Sequence, residues 1–213
     1  MKILIAIESC KADRHRHQAM IDTWLADLAD TIDFKFFIGG INEPEEGEVW
    51  VPCLDTYEGL ATKTKGICRW ATAQGYDFLF KCDTDTVVHP GRLLASGYHQ
   101  YDYMGAENAD NLPASLKDFG QRISFASGGA GYWLSQDAME IVSEGCATPF
   151  TAEDVYVSAM LGSACISPVW HEGYRWRPGS KIEGATTFHL SSALQVKYRS
   201  ELMHEYYQKI LDK

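Results

Sequence analysis

Apolar and polar positions fall into blocks along the chain, and the blocks change period. Ile3–Ile7 is a continuous apolar run closed by Glu8-Ser9-Cys10, and it reads as a buried first strand. From Gln18 to Leu28 the apolar residues recur at helical spacing: Ala19, Met20, Trp24, Leu25 and Leu28. Phe34–Ile38 predicts a second strand, stopped by Gly39-Gly40, and Val49–Val51 a short third one. Asn42–Glu48 is an acidic loop punctuated by Pro44 and Gly47. Leu60–Gln74 predicts a helix that ends at Gly75, and Phe78–Cys82 predicts another strand. Strand alternating with helix predicts a parallel, Rossmann-like sheet covered by helices, so the fold class is α/β. The first strand is not followed by a G-x-G-x-x-G fingerprint.

The second half is less regular. Helices are expected over Pro90–Tyr98, Ser135–Ser143 (with Ser135 as N-cap), Glu153–Ser163 and Leu194–Leu211. A strand is expected over Tyr103–Ala106 and loops over Asn108–Asp118 and Trp170–Gly184. Ile123–Ala126 leads into the most glycine-rich segment, Ser127–Gly131. The chain thus reads as a single domain over 1–213. The last helix runs to Leu211 without a stop signal, which leaves open that this domain begins a longer protein.

Composition narrows the classes. With 46% apolar and 23% charged residues in 213, the chain can build a large packed core and is not disordered. Twenty-nine acidic against 19 basic residues give a net charge of −10, which argues against a nucleic-acid partner. The longest uncharged stretch, Val155–Trp170, is shorter than the roughly 20 residues of a membrane span and contains Gly162 and Pro168. No export signal is visible, so a cytoplasmic setting is the default expectation. Six cysteines without a C-x-x-C pair are expected to be reduced thiols, several of them buried.

Four segments carry candidate chemistry. Asp83-Thr84-Asp85 follows an apolar strand directly, where open α/β sheets bind ligands. Two carboxylates there suit a hard divalent cation, Mg²⁺ or Mn²⁺; the same pair also suits a plain acidic turn. Ser127-Gly128-Gly129-Ala130-Gly131 lets backbone approach a ligand closely, and Tyr132 and Trp133 suggest an apolar wall for a sugar; a glycine turn between strands explains the segment equally. Glu153-Asp154 at a helix start is either a dipole complement or a general base with its neighbour. His189, in an apolar setting, is either structural or a nitrogen ligand completing the site begun at Asp85.

Taken together these segments resemble the β-1,3-galactosyltransferase and Fringe-like glycosyltransferases. Arg16–Trp24 is similar to R-R-x-A-I-R-x-T-W, and Asp55–Thr64 to D-x-Y-x-N-L-T-x-K-T. Lys81–Asp85 is similar to K-x-D-D-D, Ser127–Ser135 to S-G-G-x-G-Y-x-L-S, and Glu153–Val157 to E-D-V-Y-V. The chain departs from these patterns at His17, Ile21, Gly59 and Thr84. The resemblance implies a GT-A fold with a mostly parallel central sheet, Mn²⁺ (or Mg²⁺), a UDP-sugar donor and a glycan or glycoprotein acceptor. It implies metal contacts from Asp83, Asp85 and His189, and a base at Asp154 paired with Glu153. Ser9, Arg14, Arg16, Asp55, Lys63, Asp83 and Thr84 would surround the nucleotide, and Gly128 and Gly129 would approach the donor sugar or the acceptor. The resemblance makes 1–88 the nucleotide-binding half and 89–213 the acceptor-binding half, in a bacterial cell or in a host cytoplasm if virus-encoded. A single base opposite the leaving group implies inversion. The rival reading is a catalytically decayed carbohydrate- or nucleotide-binding module; another is a nucleotidyl enzyme, which needs a phosphate loop near the first strand that is not found.

Overall fold

A computed structural model describes residues 1–40, 43–108 and 124–212. Its elements, in chain order, begin with β1 (Ile3–Glu8), α1 (Arg14–Met20), β2 (Ile32–Ile38), β3 (Glu48–Trp50), α2 (Leu60–Ala73), β4 (Phe78–Asp83), β5 (Thr86–Val88) and α3 (Pro90–Leu94). They continue with β6 (Tyr103–Gly105), β7 (Glu107–Asn108), β8 (Phe125–Ala126), β9 (Tyr132–Ser135), α4 (Gln136–Glu144) and α5 (Glu153–Ser163). The chain closes with β10 (Val169–Trp170), β11 (Tyr174–Arg175), β12 (Thr187–His189), α6 (Leu190–Leu194) and α7 (Ser200–Leu211).

Seven strands form the central sheet in the order β10-β6-β9-β4-β1-β2-β3. Four of its six pairings are parallel. β1 is an unbroken apolar run because helices cover both its faces. Ile3, Ile5 and Ile7 point to one core with Trp24, Phe80 and Met203, while Leu4 and Ala6 point to the other with Ile67, Leu79 and Met139. The chain runs outward from β1 through β2 to β3, then returns to place β4 on the other side of β1. That reversal opens a crevice at the carboxyl ends of β1 and β4, where Glu8 and Asp83 are register partners. A smaller sheet, β11-β12-β5, stands over this crevice and brings His189 to it.

Strands β1 to β4 and helix α2 lie where the sequence puts them, with Gly75 (φ +72°) ending α2. Ser135 caps α4 by accepting from the Ala138 N–H at 3.2 Å. Other expectations need correction. The helix expected over Gln18–Leu28 starts at Arg14 and gives way to a widened turn over Ile21–Leu25. The Thr23 hydroxyl donates to the Ala19 carbonyl at 2.6 Å, and such a competing bond disturbs the backbone ladder. The final helix, expected from Leu194, begins at Ser200; Leu194 ends a separate short helix, which Gln195 stops in the left-handed region (φ 54°). The helix expected over Pro90–Tyr98 stops at Leu94. Tyr132 and Trp133 form no sugar wall: they lie in β9, fully buried between β4 and β6, with Trp133 stacked on Tyr98. The expected loop at Trp170–Gly184 contains β11 and the end of β10. The loop expected over Asn108–Asp118 lies, Asn108 apart, outside the described residues, as do Asn42 and Ile123. Among the described residues no helix is long and apolar enough to cross a membrane. All six cysteines are free thiols; Cys68 and Cys82 are buried, Cys146 and Cys165 exposed.

Candidate active site

The crevice at the sheet's carboxyl edge is a cleft of about 530 Å³. It collects most of the residues singled out in the sequence: Ser9, Arg16, Asp55, Lys63, Asp83–Asp85, Gly128, Gly129, Glu153, Asp154 and His189. Arg14 is the exception. Its guanidinium is held by Glu48 at 2.6 Å and Glu45 at 2.8 Å, and it does not line the cleft.

At the centre, Asp83, Asp85 and His189 bring one ligand atom each within 4.8 Å of one another. Asp83 ends β4 and Asp85 lies in the turn to β5, and the β5–β12 pairing sets His189 opposite Thr86. His189 Nε2 is 2.9 Å from Asp85 Oδ1 and 3.9 Å from Asp83 Oδ2. Burial alone would raise the Asp85 carboxyl, but hydrogen bonds from His189 and Ser191 hold it at about 2. The opposite holds for His189: burial disfavours its charge, and Asp85 more than restores it, so its pKa lies above the ordinary value. Donors bound at about 2.1 Å and at right angles to each other lie about 3 Å apart, so the Asp85–His189 spacing fits two neighbouring positions around one ion. Two carboxylates and an imidazole are a donor set that Mn²⁺ accepts.

A second acidic group, Glu8, Asp83 and Glu153, has the same compactness. An ammonium already occupies it. Lys81, 1% exposed, reaches Asp83 at 2.7 Å, Glu153 at 2.8 Å and Glu8 at 2.9 Å. Burial opposes its charge, but the three carboxylates push its pKa well above the ordinary lysine value. Glu8 rises to about 7, because burial outweighs the attraction of Lys81. Sequence reasoning assigned no role to Glu8 or Lys81. A signal was present: a lysine inside the apolar run Phe78–Cys82 demands a buried counter-charge.

Asp154 stands across the cleft at the start of α5. Its pKa is pushed up to about 8, first by burial and then by the charge of Glu153. Gly128 N–H donates to Asp154 Oδ2 at 3.3 Å. The glycines are needed for space. A Cβ on Gly128 would come within 1.7 Å of Glu153 Oε1, and one on Gly129 within 2.5 Å of the His189 ring.

On the β1 side, Lys63 is buried and spends its ammonium on Asp55 Oδ1 (2.8 Å) and the Ser9 carbonyl (2.5 Å). Asp55 also accepts from the Gly39 and Lys11 amides, both at 2.8 Å. These two residues therefore build a rigid wall. Arg16 bonds Thr84 at 3.1 Å and Asp13 at 3.0 Å and lies over the Tyr198 ring. It reaches the metal-side turn with a partly exposed guanidinium.

No protein-family model and no curated protein matches the chain. Solved structures do. One is a glycosyltransferase involved in the glycosylation of the major capsid of PBCV-1, with TM-score 0.58 and 12% identity, covering 98% of this chain and 100% of that one. The galactosyltransferase LgtC, in complex with donor and acceptor sugar analogs, has TM-score 0.56 and 9% identity, over 99% and 97%. The 2-C-methyl-D-erythritol 4-phosphate cytidylyltransferase of Thermus thermophilus has TM-score 0.53 and 12% identity, over 98% and 99%. The chain thus has the α/β fold of GT-A type glycosyltransferases, a fold also used by a nucleotidyltransferase.

Proposed function

We propose that the protein is a metal-dependent glycosyltransferase that moves a sugar from a UDP-sugar to a hydroxyl of a glycan or glycoprotein, with inversion. The observation that carries this reading is the triad Asp83, Asp85 and His189 facing Asp154 across one cleft at the sheet's switch point. Kinship with the Fringe-like enzymes is part of the same proposal. Asp83, Asp85 and His189 would hold Mn²⁺, which when bound neutralises a diphosphate and stabilises its departure as UDP. Arg16 adds a positive charge beside Thr84 for that diphosphate. Ser9, with the wall that Asp55 and Lys63 hold in place, receives the nucleoside. Gly128 and Gly129 let the donor sugar approach the backbone. Asp154, ionised, accepts the proton of the acceptor hydroxyl as its oxygen attacks the anomeric carbon. Glu153 accepts from Lys81 at 2.8 Å, and its carboxylate beside Asp154 helps keep the proton affinity of Asp154 high.

A nucleotidyltransferase reading has a relative of the same fold in its favour. It is disfavoured by the connection from β1 to α1, Ser9–Asp13, which contains no glycine to cradle a triphosphate. Calorimetric titration of UDP decides between the readings. Binding that needs Mn²⁺, disappears with EDTA and is lost in Asp85→Ala is the expected result. UDP binding indifferent to both would remove the triad from the ligand role, and preference for a nucleoside triphosphate would favour the rival.

A further inference from the structure

A second cleft, of about 930 Å³, adjoins the first. That lies within the ~300–1,000 Å³ range of small-molecule sites. Trp176 lines both clefts, so they meet at its side chain. Register explains the junction: Arg175 pairs with Phe188 in the parallel β11–β12 ladder, so Trp176 comes level with His189. The indole N–H of Trp176 donates to the Glu107 carbonyl at 3.2 Å, which fixes the ring at the mouth of the catalytic cleft. The far wall carries Trp170, 39% exposed at the edge of the central sheet.

The charge of this groove runs against that of the molecule. Acidic residues outnumber basic ones 29 to 19 in the chain, yet the groove collects Arg175, Arg177 and Lys181 against Glu107 and Glu172. Arg175 donates to the carbonyls of Lys181 (2.5 Å) and Glu183 (3.0 Å) and so holds the loop in place. Arg177 lies over the Trp176 ring. Lys181 is exposed and makes no ion pair with a described residue. Indole faces suit the C–H faces of sugar rings, and the exposed Lys181 ammonium suits an anionic substituent on them.

We propose that this groove is the acceptor site and that the acceptor is an anionic carbohydrate, one bearing carboxylate, sulfate or phosphate groups. The inference rests on the glycosyltransferase reading and names its substrate class. Its test is binding, followed by the indole NMR signals of Trp170 and Trp176, with no donor or metal present. Four probes are titrated: a glucuronate-containing oligosaccharide, a sulfated one, the neutral glucose oligosaccharide of equal length, and inorganic tripolyphosphate. At least one acidic oligosaccharide is expected to bind ten-fold or more tighter than the neutral one, and which of them does identifies the anion. Lys181→Glu and Trp170→Ala, both exposed positions, should abolish that preference and weaken binding respectively. Equal binding of acidic and neutral sugars overturns the proposal, as does tripolyphosphate matching the best oligosaccharide, which would make the groove a bare anion site. UDP with Mn²⁺ is titrated in parallel. If UDP binds and no acidic sugar does, this inference fails and the transferase reading stands. Acidic sugar binding without UDP binding overturns the acceptor role along with that reading.

Discussion

Asp154 gives the sharpest residue-scale prediction because its environment sets its proton affinity. A base must be ionised to work, and burial with Glu153 beside it raises its pKa to about 8. The rate constant kcat/KM is therefore expected to rise with pH and level off above about 8. Asp154→Asn keeps the shape of the side chain and removes the base; turnover should fall by about 10²–10⁴-fold while UDP affinity holds. Assaying UDP release across a pH range that brackets this value checks both, and an unchanged profile in the variant takes Asp154 out of the mechanism. Lys81 gives a prediction about stability. Lys81→Met leaves Glu8, Asp83 and Glu153 clustered without their cation, which costs about 3–5 kcal/mol. Glu8 fixes the direction of the pH dependence. Its folded-state pKa is raised from 4.5 to about 7, so its contribution is fully present below 4.5 and is lost as pH rises through 7. The variant's deficit in urea midpoint should thus shrink as the buffer moves from above pH 7 towards pH 4.5. A deficit that does not depend on pH would contradict the charge argument.

Between elements, the Ser127–Gly131 loop is where packing and chemistry meet. Gly129→Ala forces a methyl group onto the His189 ring, and Gly128→Ala onto the Glu153 carboxylate. Overpacking of this kind costs about 1–3 kcal/mol. Gly129→Ala should weaken Mn²⁺ binding through His189, whereas Gly128→Ala should lower turnover through Glu153 and Asp154. Separate metal-titration and rate measurements distinguish the two, and identical defects would mean general collapse of the loop. The same elements show what the sequence discloses. β1, β2 and β4 were legible as compact apolar runs and α2 as a helical period, and Asp83 and Asp85 were legible as candidates because they follow directly on such a run. β5, β9 and β12 were not: strands of three or four residues have too few positions to show a period, and their pairing comes from distant chain. Tyr132 and Trp133 looked like a ligand wall because aromatic residues beside glycines serve core and site alike, and only the β4–β9–β6 ladder decides for the core.

For the whole molecule, the decisive feature is that three acidic elements converge on one crevice, from β1, β4 and α5, and that one of the two compact acidic groups already surrounds the Lys81 ammonium. That leaves Asp83, Asp85 and His189, of which Lys81 reaches only Asp83, as the group whose three donors the lysine does not hold together. Mn²⁺ should consequently bind with one equivalent per chain, not two. It should also stabilise the fold, because the unfolded chain scatters the three donors. At a metal concentration about 100 times Kd the gain is about 2.7 kcal/mol. For a domain of this size that corresponds to a rise in Tm of about 5–10 °C. Calorimetric melting with Mn²⁺, then with excess EDTA, measures it directly. Asp85→Ala should melt at one temperature under both conditions. A shift that survives this substitution would place the metal among Glu8, Asp83 and Glu153, which requires Lys81 to leave its three carboxylates.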